Sequence, residues 1–68
     1  MEEIVPVGSF IRFLRIAQGS LKELETYLRL ATRLEFIEVK RSQELLGATE
    51  DIGKMIRSMI RRLQEKTA

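Results

Sequence analysis

The stretch FIRFLRIAQGSLKELETYLRLATRL, residues 10–34, decides the fold. Its apolar positions Phe10, Leu14, Ala17, Leu21, Leu24, Leu28 and Ala31 advance in alternating steps of four and three. That spacing lines side chains along one stripe of an α-helix and forms the seam of a packed helix pair. No proline interrupts the run and it holds a single glycine, so a helix can continue through it. A second row, Phe13, Ser20, Tyr27 and Leu34, flanked by Ile16 and Leu30, lies beside the first. A helix facing one neighbour needs only a narrow seam; a stripe this wide belongs inside a bundle.

Upstream, Ile4-Val5-Pro6-Val7-Gly8 places a proline and a glycine where a helix favours neither. Residues 1–8 are therefore expected to form an arm, with Ser9 capping a helix over 10–34 through its hydroxyl. Downstream, the pattern breaks between Glu35 and Lys40, which is the expected turn. Ser42 is the expected cap of a second helix over 42–65, with Glu44 in its favourable first turn. The seam resumes as Leu45, Thr49, Ile52, Ile56, Met59 and Leu63, and Leu46, Gly53 and Ile60 form a row on its flank. Gly53 costs up to about 1 kcal/mol against alanine inside a helix, and close approach of a neighbouring helix is the expected return.

A short turn makes the two helices antiparallel. The expected fold is all-α: a two-helix hairpin forming a single domain over 9–68. If each seam faces the other, Phe13, Ile16, Tyr27, Leu30, Leu46, Gly53 and Ile60 point outward and form an oligomer interface. A continuous apolar patch of this kind is unusual on a soluble monomer, and two hairpins related by a twofold axis would cover it as a homodimeric four-helix bundle.

Composition leads to the same conclusion. At 68 residues a single core is marginal and usually needs a staple. The chain has no cysteine and no histidine, which excludes disulfides and the common zinc ligand sets, so a partner chain is the remaining option and no cofactor is expected. The lack of cysteine fits a reducing cytoplasm. No run approaches the roughly 20 apolar residues of a membrane span, and Met1-Glu2-Glu3 is acidic where a signal peptide is basic. Enzymatic chemistry is not expected: no histidine or cysteine supplies a base or nucleophile, and none of the seam positions is acidic, as a carboxylate metal site in a bundle core would require.

Charge is the feature that packing does not absorb. The net charge is only +2 with 32% charged residues. Antiparallel packing nonetheless gathers Arg12 and Arg15 of the first helix with Lys54, Arg57, Arg61 and Arg62 of the second at one end. Arg12 and Arg15 lie early in their helix, where the dipole disfavours cations. They are expected to meet acids of a neighbouring chain, such as Glu2, Glu3 or Glu65; the competing expectation is that these six residues bind the phosphates of a nucleic acid.

The runs Phe10–Leu28 and Glu50–Ile60 resemble a bacterial four-helix-bundle family. It comprises proteins encoded in intervening sequences of large-subunit ribosomal RNA genes and accessory proteins of diversity-generating retroelements. The likeness covers about residues 9–63 and only the family's C-terminal two helices; Glu35 stands where the family usually has glycine to end a helix. The resemblance implies a bundle fold, a tendency to oligomerise, a link to nucleic acid and no enzyme. It also implies that the other half of the bundle comes from another chain.

Overall fold

A proline opens the first helix, three residues before the serine expected to do so. The structure, a computed structural model, describes residues 6–67. Pro6 sits at the N-cap of α1 (Val7–Arg33) with an extended backbone (φ −59°, ψ 141°), and its carbonyl accepts from the Phe10 N–H at 3.1 Å. No side chain caps this end, so Ser9 is an ordinary first-turn residue. A fixed φ and a missing N–H do no harm where helical donors are unpaired anyway. Val7 and Gly8 therefore belong to the helix and not to an arm; Met1–Val5, with Glu2 and Glu3, lie outside the described residues.

The other end of α1 closes in a Schellman motif. Phe36 N–H donates to the Ala31 carbonyl at 2.9 Å and Glu35 N–H to the Thr32 carbonyl at 3.0 Å, which satisfies two carbonyls the helix would otherwise leave open. The motif needs a left-handed residue, and Glu35 supplies it at φ 65°. A side chain there costs roughly 1 kcal/mol that glycine avoids. Glu35→Gly is accordingly expected to raise stability by about 1 kcal/mol, read as a higher midpoint in chemical denaturation at unchanged slope.

α2 spans Val39–Thr67. It starts ahead of Ser42, whose N–H already donates to the Glu38 carbonyl at 2.9 Å. Ser42 is thus no cap; it is buried, 3% exposed. Glu44 falls beyond the first turn, which holds no acid. With only residues 34–38 between them the helices run antiparallel, and among the described residues α-helix is the sole regular secondary structure.

Few side chains close the interface between the helices. Leu14, Ile56 and Ile60 form the core, with Ile11, Ala17, Leu21 and Leu63 against it; Leu28 is buried nearer the turn. The seam of α1 runs as expected through Leu14, Leu21 and Leu28. That of α2 is rotated by one residue on one of its two rows. Thr49, Ile56 and Leu63 face α1, but their companions are Ser42, Leu46, Gly53 and Ile60, all buried or half-buried. Leu45, Ile52 and Met59 are 37%, 45% and 41% exposed.

The expectation that Leu46, Gly53 and Ile60 point outward is thereby corrected. Ile60 is the least exposed hydrophobic residue among those described, at 5%, and Leu46 sits half-buried beside Arg29, Thr32 and Ser42. Both rows satisfy alternating three and four steps, so periodicity alone cannot say which edge of a wide stripe meets which neighbour. Gly53 does face α1, but loosely. A Cβ there would stand 3.9 Å from the Leu21 Cδ1, an ordinary contact, so the hairpin itself does not require glycine at this position.

Candidate association surface

The hairpin is a two-helix layer with unlike faces. A shallow groove of about 500 Å³ marks one of them, lined by Gln18, Lys22 and Glu25 of α1 and Glu50, Lys54 and Arg57 of α2. Helical periodicity puts Ala17, Leu24 and Ala31 on the opposite side of the α1 seam, and Leu45, Ile52 and Met59 on the opposite side of the α2 seam. These residues form a second face that is apolar along most of its length, with Arg41 on the same stripe one turn before Leu45.

That face widens along α1. Phe13, Ile16, Tyr27 and Leu30, placed outward by the sequence, are 65%, 60%, 62% and 47% exposed, and Leu24 and Leu34 join them at 45% and 55%. On α2 it includes Met55, 63% exposed. Sequence reasoning missed Leu45, Ile52, Met55 and Met59 as surface residues. The signal that could have found them is the small-residue character of Ser42, Thr49 and Gly53, which suits the side where two helices of one chain meet. Ser20, within the apolar face, donates its hydroxyl to the Ile16 carbonyl at 3.2 Å. Its polar group is therefore satisfied inside its own helix.

The polar face carries two ion pairs. Lys22 lies 3.9 Å from Glu25, whose side chain is half-buried, and Lys54 lies 3.8 Å from Glu50 in a solvent-exposed pair; surface pairs of this kind contribute a few tenths of a kcal/mol. Thr49 donates its hydroxyl to the Leu45 carbonyl at 2.8 Å, so its polar group is satisfied within α2. Among the described residues no group of acidic side chains could hold a metal ion, and no helix is long and apolar enough to cross a membrane.

The six basic residues singled out in the sequence do not share one surface. Arg15, Lys54, Arg57 and Arg61 turn toward the polar face, Arg12 points behind α1, and Arg62 lies on the outer rim of α2 beside Met55 and Met59. All six are exposed.

The chain is thus a thin helical hairpin with one polar face and one open apolar face. The chain matches the family model of the 23S rRNA-intervening sequence protein over residues 7–58, and it belongs to that family. No curated protein and no solved structure matches it.

Proposed function

We propose that the protein is a non-enzymatic structural or interaction module whose apolar face binds a second copy of the chain, making a homodimeric four-helix bundle. The observation that carries this reading is the apolar face itself, built by both helices in one plane and larger than the core between them. Each Leu, Ile, Phe or Met that passes from exposed to buried contributes roughly 1.5–3 kcal/mol. Among the described residues four hydrophobic side chains are buried, a core too small to hold a chain of this size by itself. Folding and association are then one event. The midpoint of thermal unfolding should rise with protein concentration, since mass action stabilises whatever associates only when folded. A midpoint independent of concentration over a hundredfold range would sink this reading.

A second reading has its own observation. Arg15, Arg57 and Arg61 take part in no ion pair among the described residues, and they cluster near one end of the polar face, which dimerisation leaves open. Unpaired guanidinium groups on one surface suit phosphates. If the bundle binds RNA or DNA, affinity should fall steeply as salt rises, and replacing these three arginines by alanine should flatten the slope of log affinity against log salt by about three, or slightly less. Absence of a mobility shift with structured RNA and duplex DNA at low salt removes this reading and leaves the first intact.

A further inference from the structure

The two rows of the apolar face are centred on the same level of the hairpin. Gly53 faces Leu21, which sets Lys22 of α1 level with Ile52 of α2 in the antiparallel pair. On α1, Phe10 and Leu34 are equally far in sequence from Lys22, and so are Phe13 and Ala31, Ala17 and Tyr27, and Ser20 and Leu24. On α2, Leu45 and Met59 are equally far from Ile52, and Ala48 and Met55 are so to within one residue. Each helix thus carries an apolar row that maps onto itself when turned end over end about one common level. A surface with that property is self-complementary under a twofold axis.

We infer, resting on the dimer reading above, that the second copy docks end over end: α1 packs on the partner's α1 and α2 on the partner's α2, with the two turns at opposite ends of the bundle. The sizes fit. Phe13 comes opposite an alanine, Tyr27 opposite Ala17 and Leu24 opposite Ser20, so large side chains meet small ones and the layers interdigitate. Ser20 can be covered because its hydroxyl is already bonded to the Ile16 carbonyl. The wide apolar flank of α1 also finds a matching flank, with Ile16 near a tyrosine of the partner and Leu30 near a phenylalanine.

The charges distinguish this arrangement from the other twofold stacking, with both turns at one end and α1 against the partner's α2. There, Glu23 would come level with an aspartate at position 51 on the facing rim, and Arg12 level with an arginine at position 62. That makes four like-charge approaches and lays the apolar flank of α1 beside a charged rim. Docked end over end, Glu44 comes within reach of an arginine at position 62, twice by symmetry. The cost is that Arg41 also comes near that same arginine, and that Glu23 and Asp51, each one residue from the axis, approach their own copies at the solvated rim. Opposite charges at an interface fix orientation more than they add affinity.

The absence of cysteine makes a direct test clean. A spin label on Glu38→Cys, exposed beside the turn, reports the turn-to-turn distance by pulsed dipolar spectroscopy. Fourteen residues of helix separate position 38 from the axis level at Ile52, so at ~1.5 Å per residue the labels should lie about 40 Å apart. A distance near 20 Å or less overturns the end-over-end arrangement while leaving the dimer standing. No dipolar signal, together with a single-chain mass in sedimentation of the same sample, overturns the arrangement and the dimer reading beneath it.

Discussion

Leu24→Asp is expected to separate the two copies. Leu24 is 45% exposed in the hairpin, outside the core of Leu14, Ile56 and Ile60, so the substitution removes little from the chain's own packing. In the dimer it deletes one apolar contact from each copy, and because about half of each side chain is already covered in the hairpin the combined loss is roughly 1.5–3 kcal/mol. It also leaves two carboxylates facing apolar surface, where each must be desolvated or protonated. At 1.4 kcal/mol per factor of ten, the dissociation constant should rise at least about 100-fold. Helix content should fall at the same concentrations, because the released hairpin lacks a sufficient core. Helicity and mass unchanged at low micromolar concentration would mean that this face is not the contact.

Ile60→Ala is expected to have the largest effect on stability. Ile60 is 5% exposed and packs with Leu14 and Ile56, and truncating a buried isoleucine costs about 2–5 kcal/mol through lost burial and the cavity left behind. For a domain of this size each kcal/mol moves the thermal midpoint by roughly 4–8 °C, so a fall of about 10 °C or more at fixed concentration should follow. A change of about 2 °C or less would place Ile60 on the surface, where its position on the flank of the expected seam first put it.

The contrast between Ile60 and its neighbour Met59 shows how far the sequence could be read. Two long helices, their antiparallel order and the seam of α1 were legible, because Leu14, Leu21 and Leu28 recur with a period that only a helix satisfies. The wide stripe was legible too, and Phe13, Ile16, Tyr27 and Leu30 are exposed as expected. The rotation of α2 was not. Leu45, Ile52 and Met59 are a more hydrophobic row than Leu46, Gly53 and Ile60, and hydrophobicity assigned the richer row to the interior. In the fold the small side chains of Ser42, Thr49 and Gly53 turn toward α1, while the bulkier row is left on the open face.

The helix ends were misplaced for a related reason. Serine was the better cap by preference, yet Pro6 and Glu38 start the helices because the chain gains two further turns' worth of backbone hydrogen bonds by beginning earlier. Glu35 marks the same tension at the turn. The Schellman geometry wins there even though the residue that adopts it is not glycine.

Association through the apolar face is tested most directly by sedimentation equilibrium of the unmodified chain at low micromolar concentration, with circular dichroism on the same samples. The expected result is twice the mass of one chain wherever the protein is helical, with mass and helicity lost together on dilution. A fully helical species of single-chain mass would contradict it.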